Sequence, residues 1–187
     1  MSPLRTLMRQ HTTAAHELLE GTPLMRAFAT GAPSAAEYRD YLIRQLQLHE
    51  PLEAALAKWV PPEWNPLRLV KAGWLLGDLL ALGAAANQRH AEIPAVSSIA
   101  EALGMLYVIE GGTLGLQAVR KRFGRHHPAL NAAGRFLSGY GPDTGRHWIA
   151  FIARLETLPA PAWPQAIDAA GRTFAAFHRH FQEPMHG

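Results

Sequence analysis

The chain has no cysteine among its 187 residues. Disulfides, thiolate metal ligands, cysteine-held iron–sulfur clusters and cysteine nucleophiles are therefore excluded, although that absence does not fix the compartment. Also missing is any uninterrupted apolar run of about 18 residues, the signal of a membrane-spanning helix. The two most apolar stretches, 67–86 and 99–119, are interrupted by Lys71 and Asp78 and by Glu101 and Glu110. Met1-Ser-Pro-Leu-Arg-Thr6 lacks the apolar segment of a secretory signal. Together these features predict a cytoplasmic protein with no membrane segment. Charge of one sign is scarce as well, since 18 basic and 15 acidic side chains leave a net +3. The densest basic run is Arg120-Lys-Arg122, with Arg125, His126 and His127 nearby. It comes with no recognition motif and no interleaved aromatics, so nucleic acid is not an expected partner.

Hydrophobic residues make up 48% of the chain, enough to bury a substantial core, and the length suits one domain. Helical signals recur along it and strand signals do not. Ser2-Pro3 suits an N-cap followed by an N1 proline, ahead of a stripe of Leu4, Leu7, Met8, Ala15, Leu18 and Leu19 that stops near Gly21. Ser34-Ala-Ala-Glu37 is a capping box opening a helix through Tyr41, Leu42, Leu46 and Leu48, which Pro51 should end or kink. Asn65-Pro66 starts another helix, running to about Ala86. Ser98-Ile-Ala-Glu101 opens the next, with Gly124 as its C-cap. Pro128 begins a short helix before Gly139, and residues 143–158 form an amphipathic one. The turn Pro159-Ala-Pro-Ala-Trp-Pro164 precedes a last helix bearing Phe174, Phe177 and Phe181. The expectation is all-α: a single compact domain over 1–187, with about seven or eight helices.

One helical segment carries more glycine than a helix tolerates cheaply. Gly104-Met-Leu-Tyr-Val-Ile-Glu-Gly-Gly-Thr-Leu-Gly115 contains four, and each costs about 0.8–1 kcal/mol relative to alanine. At about 100° per residue, Gly104, Gly111 and Gly115 fall within one narrow arc. Backbone rather than side chain is then presented there, and something flat can approach it closely.

Ten histidines are present, and two lie in the first helix. His11 projects into the Leu4/Met8/Ala15/Leu18 stripe and reads as a packing residue. His16 sits at the stripe's edge, with Arg9 two turns before it and Glu20 one turn after. A neutral imidazole binds iron through Nε2 while Nδ1–H donates to a carboxylate that orients the ring. Glu20 is spaced for that task and Arg9 for an acidic substituent of the same ligand. An ordinary surface i,i+4 pair has the same spacing. An axial histidine facing a glycine-lined helix nevertheless describes a slot for a planar macrocycle.

At this point the sequence resembles the heme oxygenase family, in particular its bacterial, bacteriophytochrome-associated branch that produces biliverdin. The resemblance is carried by Thr12-Thr-Ala-Ala-His-Glu-Leu-Leu-Glu20, Leu106-Tyr-Val-Ile-Glu-Gly-Gly-Thr-Leu-Gly115, Gly139-Tyr-Gly141 with Trp148, and Thr173-Phe-Ala-Ala-Phe-His-Arg-His-Phe181. It implies that His16 is the heme-iron ligand, Glu20 its hydrogen-bonding partner, and Gly111 and Gly115 the distal-helix backbone. Arg9 and Arg146 are implied as propionate partners, and Phe174 and Phe181 as pocket walls. The implied reaction uses heme as both substrate and cofactor. Dioxygen and an external reductant such as ferredoxin open the ring to biliverdin, releasing carbon monoxide and ferrous iron, with a bacteriophytochrome as an acceptor of the product. Where the family more often reads EGSTLGG, this chain has Glu110-Gly-Gly-Thr-Leu-Gly-Leu116. Gly112 removes a hydroxyl and Leu116 adds bulk beside the slot. The alternatives are a heme-delivery protein that spares its ligand, or a heme-oxygenase-like scaffold that no longer binds heme. A non-heme iron protein using His49, Glu53 and Glu110 lacks the paired Glu-x-x-His signals of such sites, since Glu183-Pro-Met-His186 stands alone.

Overall fold

The computed structural model describes residues 3–30, 33–60, 68–84, 89–123 and 131–183. Among these, the regular elements are all helical, as the periodicity predicts. Ser2, Asn65-Pro66, Gly124, Pro128 and Pro184–His186, which figured in the expected caps, helix starts and iron motif, lie outside them.

Helix α1 (Pro3–Glu20) buries Leu4, Met8 and Thr12. His11 does not join that face. It is exposed and engages the Leu7 carbonyl through Nδ1 at 2.9 Å, so the expectation of a core histidine is corrected. Thr12 takes the buried position because its hydroxyl donates to the Met8 carbonyl and needs no outside partner. After the short α2 (Pro23–Thr30), α3 (Ala35–Leu56) starts at the capping box: Glu37 N–H donates to Ser34 Oγ, and Ser34 N–H to Glu37. Helix α3 then continues past Pro51 instead of ending there. A proline at 51 strips the Gln47 carbonyl of its helical donor. The N–H of Ala91 replaces it at 2.9 Å, so the cost of the interior proline is offset by a distant segment.

Helix α4 (Lys71–Ala81) begins later than the sequence suggests, because residues 68–70 are not helical. Its first amides, on Lys71 and Ala72, donate to the Glu53 carboxylate of α3 at 2.7 and 3.1 Å. Gly83, at φ +64°, closes its other end with Gly83 N–H on Leu80 O and Ala84 N–H on Leu79 O, a Schellman arrangement. Helix α5 (Ile99–Phe123) is the longest, at 25 residues. By length and composition it could cross a membrane, but most of it is buried against its neighbours. Helix α6 (Arg135–Ser138) is capped from α4, where Asp78 accepts the amides of Arg135 and Phe136 at 2.9 and 2.8 Å. A 3-10 turn, Gly141–Asp143, leads into α7 (Thr144–Leu155), and a second, Ala160–Ala162, into α8 (Trp163–Gln182).

Helix α8 packs against both α1 and α5, and its buried face includes Ala166, Ala169, Thr173, Phe174 and Phe177. Gly104 permits this approach: a β-carbon there would stand 2.1 Å from the Ala166 carbonyl oxygen. It belongs to a helix crossing, not to the slot that its angular position suggested. The far end of α8 is closed by α3, whose buried Arg44 donates to the carbonyls of His180 and Glu183.

Candidate functional site

Further along the same helices, α1 and α5 line a cavity of about 540 Å³, within the range of small-molecule sites, roughly 300–1,000 Å³. Helix α8 contributes Phe174 and Phe177, α3 contributes Tyr41, Gln45 and His49, and Phe136 comes from α6. At the α1 side stand Arg9, Thr13, His16, Glu17 and Glu20. His16 Nδ1 lies 3.6 Å from Glu20 Oε2, and its ring meets that of Phe174 edge-on with centroids 5.7 Å apart. The side chain of His16 is 55% exposed.

Facing α1 is the glycine-rich part of α5. Gly111, Gly112 and Gly115 all line the cavity. A β-carbon on Gly112 or Gly115 would meet nothing within 4 Å, and one on Gly111 would stand 3.8 Å from the Trp148 ring. Gly112, which the helical arc left aside, is therefore part of this backbone surface, while Gly104 is not. Leu116 also lines the cavity and is buried.

The inner wall is polar in places. Gln45 and His49 lie one turn apart on α3, both buried. Burial, helped by the nearby charge of Lys71, pushes the His49 imidazole down to about 3, so the ring is neutral near pH 7. Its Nδ1 has no hydrogen-bond partner, and neither has Nε1 of Trp148. Buried polar atoms without partners are costly and uncommon; two on one cavity wall mark places where a ligand or ordered water would be satisfied. His49 packs edge-on against Phe136 and Phe177, at 5.6 and 6.1 Å between centroids.

Not every expected residue gathers here. Arg146 is 77% exposed and paired with Asp143 at 3.2 Å; it is not among the cavity's lining residues. Phe181 is buried against Tyr41 rather than on the cavity, and Phe177 takes the wall position instead. His49 and Glu53, one turn apart, are used separately, the first on the cavity and the second as the cap of α4. Gln45, Tyr107 and Trp148 were not singled out as site residues, and His49 was named only for the non-heme iron alternative. Two buried polar residues at i,i+4 on α3 were the available signal for Gln45 and His49.

Behind the glycine helix, on the side away from α1, lies a buried ionic cluster. Glu110 pairs with Lys71 Nζ at 2.9 Å and with Arg68 at 2.9 Å, all three nearly fully buried. Tyr140 donates its hydroxyl to Glu110 and accepts from Lys71. Burial and the charge of Glu110 hold that phenol well above its ordinary range.

The heme oxygenase family model matches residues 2–183. A heme oxygenase of Xanthomonas campestris pv. campestris is 32% identical over 165 residues, covering 83% of this chain and 94% of the relative. Among solved structures, the NO- and CO-bound heme oxygenase of Neisseria meningitidis superposes with a TM-score of 0.73 at 23% identity, covering 98% of this chain and 94% of that one. The heme oxygenase of Leptospira interrogans gives 0.75 at 19% identity, covering 97% and 99%. These two likenesses speak for the helical fold. With the family matched from residue 2 to residue 183 and a relative of this identity over most of both chains, the protein belongs to the heme oxygenase family.

Proposed function

We propose that the protein binds heme in this cavity and cleaves it to biliverdin, releasing carbon monoxide and ferrous iron. Dioxygen is the oxidant and electrons come from an external donor such as a ferredoxin. Residues 1–187 act as one heme-oxygenase-like domain in the cytoplasm. A bacteriophytochrome is a fitting acceptor of the biliverdin, a reading that rests on the quoted motifs. The observation that carries the proposal is an imidazole, His16, with a carboxylate 3.6 Å from its Nδ1, set across one cavity from the bare backbone of Gly112 and Gly115.

The residues present fit such a ligand. A flat macrocycle needs apolar walls, which Phe174, Phe177 and Leu116 provide, and a helix it can approach without side chains between. When bound, heme supplies the iron that activates dioxygen and the ring that is opened. His16 would hold the iron through Nε2, with Glu20 keeping the Nδ1 proton in place and fixing the ring. Arg9, at the mouth, would meet a propionate. On the far wall, neutral His49 and the Trp148 indole offer hydrogen-bonding atoms with no internal claim on them. They can order water and small polar ligands without becoming charged. Phe136 and Phe177, both buried, line the cavity against His49.

The deciding experiment is a hemin titration followed by an electron donor in air, with catalase present to remove free peroxide. Loss of the Soret band with appearance of biliverdin is the expected result. A stable complex that reduces and binds carbon monoxide but keeps its ring intact would make the protein a heme carrier. Absence of saturable binding would make it a scaffold without heme.

A further inference from the structure

Arg68 lies in the non-helical segment just before α4 and is 4% exposed, with no contact to the cavity. Its guanidinium nevertheless joins two elements that form the cavity wall. One arm stands 2.9 Å from Glu110 Oε2 of α5, an ion pair by distance without the alignment of a hydrogen bond. The other donates to the backbone carbonyl of His147 in α7 at 3.0 Å. The next residue after each anchor, Gly111 and Trp148 respectively, lines the cavity, and the Trp148 ring faces Gly111 closely enough that an added β-carbon would stand 3.8 Å from it. Arg68 and its Glu110 anchor each have a further hold. Glu110 is also held by Lys71 and Tyr140, and the Arg68 carbonyl itself accepts from Lys71 Nζ at 3.2 Å.

We propose that Arg68 is a positioning residue for the ligand: by clamping Glu110 to the His147 carbonyl, it sets the spacing between the Gly111 backbone and the Trp148 ring on the cavity wall. The guanidinium reaches the two anchors from two separate nitrogens. A lysine is shorter and carries one nitrogen, so it would keep the charge near Glu110 without matching both distances. The cluster is electrically self-contained, with Arg68 and Lys71 set against Glu110 and the Glu53 carboxylate that caps α4. Its contribution to the cavity is therefore one of position, not of charge presented to the ligand. The inference takes its ligand from the heme reading, but the placement of Trp148 can be read without heme.

The test uses the full chain labelled with 5-fluorotryptophan, the Trp148 resonance being assigned with Trp148→Phe. Arg68→Lys and Arg68→Met are compared with Arg44→Lys, an equivalent exchange at a buried arginine that does not line the cavity and holds the end of α8 instead. Both Arg68 variants are expected to shift the Trp148 fluorine resonance in the apo protein and leave that of Trp163 in place. They should also weaken hemin by about tenfold, the lower end of what losing an outer support costs such a site. Arg44→Lys should lower the melting temperature without moving Trp148. An unmoved Trp148 resonance in Arg68→Lys overturns the proposal, and so does a moved resonance with unchanged hemin affinity. Should Arg68→Met fail to fold, Arg68→Lys carries the comparison alone. If the native chain binds no hemin, the functional reading fails, while the fluorine resonances still decide whether Arg68 places Trp148.

Discussion

Glu20 and Phe174 constrain His16 from two sides, one by a carboxylate 3.6 Å from Nδ1 and the other by an edge-on ring. Because the side chain is half exposed, its removal leaves no buried void. His16→Ala is therefore expected to abolish the native ferric-heme spectrum and turnover while the helical circular dichroism and melting temperature stay near native; an unchanged spectrum would exclude His16 as the ligand. His49 differs because it is buried. Folded, it stays neutral down to about pH 3, whereas unfolded it takes up a proton near 6.5. Between those values the unfolded chain binds the extra proton, so stability falls as pH falls, by on the order of 1 kcal/mol per pH unit at most. His49→Gln should flatten the loss of stability between pH 6.5 and pH 4 in denaturant unfolding. The buried carboxylates Glu53 and Asp78, which burial shifts upward, act in the opposite direction but are common to both proteins and cancel. Parallel curves would mean that His49 is not kept neutral. His16 and Glu20 were legible in the sequence because one helical turn relates them. The cavity role of His49 was not, because its neighbours Phe136 and Phe177 come from elements far along the chain.

The glycines of α5 divide into two kinds once the helix is packed. Gly104→Ala places a methyl group against the Ala166 carbonyl and should destabilise the apo protein by about 1–3 kcal/mol, read as a lower denaturation midpoint. Gly115→Ala, into open space, should stabilise it by up to about 1 kcal/mol through helix propensity alone. Gly115→Leu should then obstruct hemin more than Gly112→Ser does, since the larger side chain projects into the cavity. Equal hemin affinity in both variants would remove this face from the binding site. Helical angle alone grouped Gly104 with Gly115, because it says nothing about which neighbour a face meets. The same limitation explains Phe181. It lies closer in angle to Phe174 than Phe177 does, but it sits about 10 Å further along the axis, where Tyr41 covers it. The capping box at Ser34 was legible because it is local. The passage of α3 through Pro51 was not, because its compensation arrives from Ala91.

Across the whole molecule, the fold was readable as helical from periodicity, whereas the ionic cluster behind α5 was not. Arg68 and Lys71 belong to no motif, Tyr140 was quoted only as part of Gly139-Tyr-Gly141, and only the tertiary arrangement gives the three a common partner in Glu110. Removing that partner's charge leaves two cations buried. Glu110→Gln is expected to cost about 3–5 kcal/mol, seen as a lowered denaturation midpoint, with pairing at the neutral amide recovering little. A near-native midpoint would show that the cations find water or another carboxylate.

The order of the helices has its own consequence for how the chain is made. Helix α5 has the length and apolar composition of a membrane-crossing helix, and α8, against which it packs, is the last described element to leave the ribosome. Phe123 and Gln182 are 59 residues apart, roughly 3–12 seconds of synthesis at about 5–20 residues per second. During that interval the nascent chain carries a sticky central helix that its first half cannot fully cover. Its safe arrival depends on how soon translation finishes.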